Sequence, residues 1–371
     1  MTHPLRRRIR APLRPARLLA LGLCSASLLA TCTEAEYTNF NNGAVTEHQL
    51  WLDTAGKIIN AHDGGIIHAE GRYHWYGMAL QPLPVLAGTN GGQKTMTGVS
   101  MYGSTDLYNW TNEGVILPCS SDPASPLCGP MRFERPKIIY HDATKRYVMW
   151  FHYVARPGDH GNRPGCGEAG IAWSGSVTGP YAFRGCTRPV GNNGIVRDCT
   201  LFKDDDGSAY LVYDRDVRPE GGDLGRALHV VKLSGDYLSC TATFCKIPNA
   251  AGREAPVMLK RNGVYFLITS GMTGWEFNRA NYYTATNILG PYTWRGDPCV
   301  GNHAATTFNS QGTQAFAVEG ERDAFIFMAE RHNTKCMTDS SFIFLPVIFT
   351  SETTLELRYI PSWTWKWTRE R

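Results

Sequence analysis

Five polar side chains recur in the sequence, each 10 to 14 residues before an aromatic residue in an apolar run. The five are Asp63, Glu134, Asp198, Glu254 and Gln311, and the aromatics that follow them are Tyr73, Tyr147, Tyr210, Tyr265 and Phe325. A carboxylate accepts a proton readily, whereas a neutral amide does not. One such acid could be a solvated charge at a strand end. Four acids and an amide at recurring places indicate a shared site for proton transfer.

The stretch Gly252–Asn278 shows which elements position these groups. Glu254 stands just ahead of an apolar strand, an Arg-Asn-Gly turn follows, and Val264–Thr269 forms a second strand rich in β-branched and aromatic residues. Trp275 then lies in a turn of small residues, where it could stack on a sugar ring or pack within the fold. The pattern predicts a hairpin with an acid at its inner end.

The aromatics are spaced by 74, 63, 55 and 60 residues, a period typical of propeller blades. Several units also continue with a strand, a Ser/Thr-rich turn and another aromatic, starting at Gly98, Gly170 and Ala280. Long amphipathic helical patterns are absent from the sequence, which disfavours α/β folds. We therefore predict an all-β fold, a five-bladed β-propeller. The innermost strands of such a fold line one channel, so the five polar groups should converge at its mouth.

Residues 1–35 differ in composition from the rest of the chain. They carry six Arg and one Glu around the apolar run 18–30, which predicts a signal peptide or a retained signal anchor, with the propeller in 36–371. Without them the formal charge of +4 falls to about −1. The sequence thus predicts a secreted or lumenal protein, with no nucleic-acid partner and no membrane association after cleavage.

Nine cysteines follow residue 35, and none has the spacing of a metal site. In an oxidising compartment the sequence predicts the local disulfides Cys119–Cys128, Cys240–Cys245 and Cys166–Cys186. Cys299–Cys336 is a further pair, which leaves Cys199 as a buried thiol. We predict no metal and no cofactor.

Five motifs together resemble glycoside hydrolase family 43 and, within it, the exo-β-1,3-galactanases. They are NAHDGG at Asn60, FERPK at Phe133, RDCTLFKDDDGSAY at Arg197, REAPVMLKRNGVYFLITSGMTGW at Arg253 and FNSQGTQ at Phe308. The resemblance runs from about Glu47 to the C-terminus. It implies a five-bladed propeller that hydrolyses glycosides with inversion and releases galactose from β-1,3-galactan, as in arabinogalactan proteins. A monomer is expected.

The resemblance also implies roles for individual residues. Glu254 is the expected general acid, and Asp198 should keep it protonated and oriented. Glu134 is expected to bind the hydroxyl groups of galactose. The other expected substrate contacts are Trp275, Asn278, Arg197, Arg135 and Tyr153.

Two residues compete for the role of activating water on the opposite face of the sugar. Family 43 enzymes use an Asp where this chain has Asp63, whereas the galactanases use an amide, matched here by Gln311. The resemblance favours Gln311, which we expect to position the water, and Asp63 is its rival because a carboxylate is the better proton acceptor. The chain also has Glu330, Arg331 and His332 where relatives tend to have Asp-Arg-Trp.

Two alternatives to a galactanase stay open. Asp63 favours an arabinofuranosidase or xylosidase of the same fold. A catalytically silent sugar-binding propeller is the second, although it would not need Glu254 together with Asp198.

Overall fold

The computed structural model describes residues 36–81, 95–128, 133–154, 167–189, 195–217, 225–248, 250 and 252–366. These residues contain 23 strands and form a nearly all-β domain. Five sheets, of four or five strands each, are the blades of a five-bladed β-propeller, which confirms the predicted fold class. No helix in the described ranges has both the length and the apolar character to cross a membrane.

Each of the first four blades is a four-stranded antiparallel meander. Blade one contains β2 (His62–Ala69), β3 (Arg72–Gln81), β4 (Thr95–Ser104) and β5 (Thr111–Pro118). Blade two contains β6 (Phe133–His141), β7 (Arg146–Val154), β8 (Gly167–Ser174) and β9 (Ala182–Thr187). Blade three contains β10 (Ile195–Lys203), β11 (Ala209–Val217), β12 (Gly225–Leu233) and β13 (Cys240–Lys246). Blade four contains β14 (Arg253–Arg261), β15 (Val264–Gly271), β16 (Asn281–Ala285) and β17 (Thr293–Gly296).

Blade five has an added strand. It contains β18 (Cys299–Val300), β19 (Gln311–Ala317), β20 (Phe325–Arg331), β21 (Ser341–Phe349) and β22 (Leu355–Arg358). The short β18 pairs in parallel with β22 at the outer edge. Two 3₁₀ turns, Ala304–Thr306 and Met337–Asp339, lie within the connections of this blade. A separate two-stranded sheet joins β1 (Phe40–Asn41) to β23 (Ser362–Trp363).

The innermost strands form a closed ring. β2 contacts β6, β6 contacts β10, β10 contacts β14, β14 contacts β19, and β19 returns to β2. The aromatics that defined the sequence period all lie in the second strand of their blade, so the predicted units match the blades. Hairpin turns such as Asn262-Gly263, with φ of 48° and 76°, have the left-handed backbone of a type I′ turn and fix the strand register. The ring therefore brings the starts of five strands together at one end of the channel.

Each innermost strand carries a one-residue β-bulge close to its start. The register shifts fall between His62 and Gly65, Glu134 and Lys137, Val196 and Cys199, Glu254 and Val257, and Gly312 and Gln314. The bulge residues Asp63, Arg135 and Ala255 have φ of 52°, 56° and 50°. At Gly64 a Cβ would lie 1.7 Å from the carbonyl oxygen of Tyr76. Because a bulge redirects the side chains beside it, these five bulges set the directions of the polar groups.

The predicted pairs Cys119–Cys128 and Cys240–Cys245 are not formed, and the structure shows all four as free thiols. Cys240 and Cys245 lie on one strand, where their partners across the sheet are Leu233 and Val230. Partners three residues apart are about 10 Å apart along a strand. A disulfide needs Cα atoms within about 7 Å, so an extended strand keeps these two sulfurs apart.

The remaining cysteines have varied surroundings. Cys299 and Cys336 are also free thiols, contrary to their predicted pairing. Cys166 lies outside the described residues, and Cys186 donates its thiol to Glu168 Oε2 at 2.6 Å. Cys199 is 1% exposed, as predicted for the buried thiol, and this burial raises its pKa to about 12.

Candidate active site

A polar cavity of about 240 Å³ opens where the innermost strands begin. It is lined by Asp63, Glu134, Arg135, His152, Arg197, Asp198, Glu254, Met272, Gly274, Trp275 and Gln311. The sequence predicts ten catalytic or substrate-binding residues, and eight of them line this cavity. The predicted convergence of four acids and one amide is therefore what the structure shows.

Arg135 lies among the carboxylates and is 3% exposed. Its guanidinium donates to the carbonyl of Gly312 at 2.7 Å and to Gln311 Oε1, and it lies 3.8 Å from Asp63 Oδ1 and 3.5 Å from Asp198 Oδ2. Burial alone would lower the pKa of this guanidinium. The surrounding carboxylates, Asp198 first and Asp63 second, outweigh burial and raise that pKa above its usual value. Arg135 is thus a fixed positive charge at the centre of the acidic ring.

Glu254 is 8% exposed. Gln311 donates from Nε2 to Glu254 Oε1 at 3.2 Å and to Ser270 Oγ at 2.7 Å. At the next residue in the chain, the backbone N–H of Ala255 donates to Asp198 Oδ2 at 3.1 Å. The strained backbone at Ala255 therefore joins the strand of Glu254 to the carboxylate of Asp198. One acid, one neighbouring acid and one amide form a compact unit.

Asp63 belongs to the innermost strand of blade one and is 2% exposed. Its backbone N–H donates to Glu330 Oε2 at 2.7 Å, and its carbonyl accepts from Lys137 Nζ at 3.0 Å. His332 Nε2 is 3.2 Å from Asp63 Oδ1. Glu330 is fully buried and also contacts His62 Nδ1 at 2.7 Å. The strained bulge at Asp63 is thus held at its N–H, its carbonyl and its carboxylate.

Glu134 and Trp275 line two further parts of the wall. Glu134 Oε2 lies 3.0 Å from Nδ1 of the buried His152, which faces Glu134 across the pair β6–β7. Trp275 projects from the loop between β15 and β16 and meets the ring of His332 edge-on, with centroids 4.8 Å apart. The cavity wall therefore contains both a hydrogen-bonding carboxylate and an apolar indole.

Two expected substrate contacts lie outside the cavity wall. Asn278 closes the loop of Trp275 instead, because it accepts from the N–H of Gly271 at 2.5 Å and donates to the Gly271 carbonyl at 2.8 Å. Tyr153 is 3% exposed and donates to the carbonyl of Pro126 at 3.0 Å. Both side chains make local contacts within the fold, and their expected contact with substrate stays a prediction.

The sequence did not single out several residues that form or support the site. His152, Met272 and Gly274 line the cavity. Ser270 accepts a hydrogen bond from the lining residue Gln311, and Lys137 donates one to the carbonyl of Asp63. No recurring spacing marks these residues, since they lie on second strands, in a loop or deeper along the channel. Only the register of β7 against β6 places His152 beside Glu134.

Two groups of side chains have metal-ligand atoms close together. The first group is Asp63, Glu330 and His332, and the second is Glu134, His152 and Asp198. In each group the possible ligand atoms lie within 4.8 Å of one another. The guanidinium of Arg135 already lies beside Asp63 and Asp198. A second positive charge there would be opposed by it, so we assign no ion to either group. The expected absence of a metal stays a prediction.

A ring of carboxyl groups at the mouth of a five-bladed propeller defines a class of protein suited to acid–base chemistry on a polar, ring-shaped ligand. The family model of glycosyl hydrolases family 43 matches residues 60–352. The chain belongs to glycoside hydrolase family 43.

Solved structures similar to this chain include family members that act on galactose-containing substrates. The β-1,3-galactosidase BT3683, solved with galactodeoxynojirimycin, is 32% identical with a TM-score of 0.74, covering 85% of this chain and 99% of that one. The β-1,3-galactosidase BT0265 is 32% identical with a TM-score of 0.77, covering 90% and 65%. The exo-β-1,3-galactanase of Phanerochaete chrysosporium, solved with galactose, is 27% identical with a TM-score of 0.70, covering 88% and 68%.

Two more distant relatives have other names. The β-D-galactofuranosidase xynD of Aspergillus niger is 26% identical over 240 residues, or 62% of this chain and 65% of that relative. Xylosidase/arabinosidase 43B of Humicola insolens is 26% identical over 205 residues, or 53% and 35%. The chain thus spans less than two thirds of the length of both relatives.

Proposed function

We propose that this protein is an inverting exo-β-1,3-galactanase that releases galactose from β-1,3-galactan, including the backbone of arabinogalactan proteins. The observation that carries the proposal is the unit of Glu254, Gln311 and Asp198 around Arg135 in one polar cavity. The structural relatives named for β-1,3-galactosidase or galactanase activity support the choice of sugar.

In this proposal Glu254 is the general acid. Its carboxyl proton passes to the glycosidic oxygen while water adds to the anomeric carbon from the other face, and the galactose leaves with inverted configuration. Asp198 contacts the backbone beside Glu254 and pairs with Arg135, so its negative charge is fixed near the acid. Gln311 donates to the Glu254 carboxyl and fixes its orientation.

The water needs a partner on the opposite face, for which Gln311 and Asp63 are the two candidates. Gln311 Oε1 accepts from Arg135, and its Nε2 donates to Glu254 and Ser270, so its hydrogen bonds tie it to the acid. A carboxylate is also the better proton acceptor. We therefore assign proton acceptance to Asp63, and Gln311 remains the second candidate for holding the water.

Product analysis on β-1,3-galactan tests the proposal, with the wild type beside Asp63→Asn and Gln311→Ala. We expect galactose as the released sugar, formed as the α-anomer in proton NMR spectra recorded early in the reaction. Loss of turnover only in Asp63→Asn would support Asp63 as the acceptor. Loss of turnover only in Gln311→Ala would indicate that the amide of Gln311 holds the water. A wild type without galactose release contradicts the galactanase proposal.

A second function of the same class is arabinofuranosidase or xylosidase activity. The observation that favours it is Asp63 in the cavity wall, the carboxylate that family 43 resemblance assigns as base. Assays on arabinosides and xylosides, run beside the galactan assay, distinguish the two. A sugar-binding protein without turnover would bind galactan in all variants and release nothing.

We also propose that residues 1–35 direct export and that the propeller acts outside the cytoplasm as a monomer on polysaccharide. The observation behind it is the arginine-rich segment ahead of an apolar run. Expression of the full chain, followed by N-terminal sequencing of protein from the medium, tests export. Protein that stays intact in the cytoplasm contradicts it.

A further inference from the structure

His332 joins two parts of the cavity without being part of its wall. It follows the last residue of β20 and is 4% exposed. Its Nε2 lies 3.2 Å from Asp63 Oδ1, and its ring meets Trp275 edge-on at 4.8 Å. One buried imidazole therefore touches two members of the cavity wall, the carboxylate of Asp63 and the indole of Trp275.

His332 Nε2 and Asp63 Oδ1 are within hydrogen-bonding distance, at 3.2 Å. An ionised carboxylate only accepts hydrogen bonds, so an ionised Asp63 pairs with a His332 that carries its proton on Nε2. The same carboxylate faces Arg135 at 3.8 Å, and the backbone of Asp63 is bound by Glu330 and Lys137. His332 thus contacts both this carboxylate and Trp275.

We propose that His332 is a positioning residue that aligns Asp63, as the water-activating carboxylate, with Trp275, as the platform for the galactose ring. This rests on the proposed function. If the carboxylate and the indole move independently, water and anomeric carbon lose their alignment. A displacement of about 1 Å costs on the order of 100-fold in rate.

Two substitutions separate the two contacts. His332→Gln keeps an N–H near the place of Nε2 but removes the ring, whereas His332→Phe keeps a ring edge against Trp275 but removes the donor. We expect His332→Phe to lower kcat about tenfold or more with KM within about twofold. We expect His332→Gln to keep kcat within about threefold and to raise KM about threefold or more. His303→Gln, at an exposed histidine, is the control and should match the wild type.

The pH dependence of kcat distinguishes the loss of this hydrogen bond from a general packing defect, which would not shift it. Loss of a donor to a carboxylate favours its protonated form. We therefore expect the acid limb of the kcat profile to move to higher pH in His332→Phe and to stay in place in His332→Gln. The charged and titratable groups around Asp63, namely Arg135, Lys137, Glu330 and His62, are unchanged in both variants. Equal changes in kcat and KM in both variants, or no change in either, would overturn the proposal.

Nitrogen NMR of the histidine rings tests the contact without any substrate. We expect His332 in the wild type to carry its proton on Nε2, and Asp63→Asn to shift its Nε2 resonance while the resonances of His303 stay in place. An unchanged His332 resonance overturns the proposal even if galactose is released. A shifted resonance without galactose release would support the contact between His332 and Asp63 and would contradict the proposed function instead.

Discussion

At the scale of single residues, Arg135 determines how four acids can share one cavity. It is buried and lies beside Asp63 and Asp198 while donating to Gln311 and Gly312. Carboxylates this close would otherwise repel one another, and some would bind protons. The guanidinium therefore stabilises the charges on which the proposed mechanism depends.

Replacement of Arg135 by Ala should destabilise the protein by about 3–5 kcal/mol, because it leaves buried carboxylates without their cation. Chemical denaturation measures the free energy of unfolding. Arg358→Ala breaks an exposed pair with Glu356 at 2.7 Å and should cost less than about 1 kcal/mol. If Arg135→Ala does not fold, the free energy of unfolding of Arg135→Lys is measured in its place. Equal effects of the Arg135 and Arg358 substitutions would contradict this role.

Glu254→Gln should abolish most turnover while sugar binding persists. The amide keeps the size of the side chain and its contact with Gln311, but it has no proton to give, and loss of a general acid costs about 10²–10⁴ in rate. Galactose release and calorimetric binding of galacto-oligosaccharide are the two measurements. Glu352→Gln, in a side chain that is 69% exposed, is the matched control. Full activity in Glu254→Gln would remove Glu254 from the mechanism.

At the scale of elements, the bulges decide which way the acids point. Glu134 and Glu254 are the last paired residues before their bulges, whereas Asp63 and Asp198 lie within theirs. The acids therefore do not occupy equivalent strand positions, contrary to the expectation from sequence. They reach one cavity because side-chain direction changes across each bulge.

The loop between β15 and β16 depends on Asn278. Its side chain binds both backbone groups of Gly271 and Thr273 Oγ1, so Asn278→Ala should leave Trp275 less ordered. We expect KM to rise about threefold or more with kcat nearly unchanged, since the loss affects binding in the ground state and transition state alike. Asn287→Ala removes a similar turn contact, to Leu289, in an exposed turn and should leave KM unchanged. A change in kcat alone would show that the loop acts on the chemistry instead.

At the scale of the whole molecule, closure of the ring buries charged groups along the channel. Lys137 is 2% exposed and donates to the carbonyls of Asp63 and Pro136. Burial, and then the charge of Arg135, lowers its pKa to about 7. In the unfolded chain a lysine has a pKa of about 10.4, so between these values the unfolded chain binds more protons.

The stability of the fold should therefore depend on pH through Lys137. The penalty for burying this lysine is full below about pH 7 and disappears as the pH rises towards 10.4. The free energy of unfolding should rise by about 2 kcal/mol between pH 7 and pH 9 from this group. Denaturant titrations of the wild type and of Lys137→Met measure it. Parallel pH dependences in the two proteins would show that Lys137 is charged in the fold.

Much of the architecture was predictable because its signals are local and repeated. The aromatics at recurring spacing marked the second strand of every blade, and the Asn-Gly turn with its flanking apolar runs marked the hairpin of Glu254. Eight of the ten predicted site residues line the cavity. Asn278 and Tyr153 lie outside that wall, because a polar side chain near a site can equally well close a loop or bind a carbonyl.

The sequence by itself determined the number of blades, a polar residue near the start of each innermost strand and the family to which the chain belongs. Only the tertiary structure decided which groups meet, because Arg135, His152 and His332 acquire their partners through strand register, bulges and contacts between blades. The partners of Arg135 and His332 lie between 57 and 269 residues away along the chain. No local pattern encodes such contacts, since they exist only after the ring has closed.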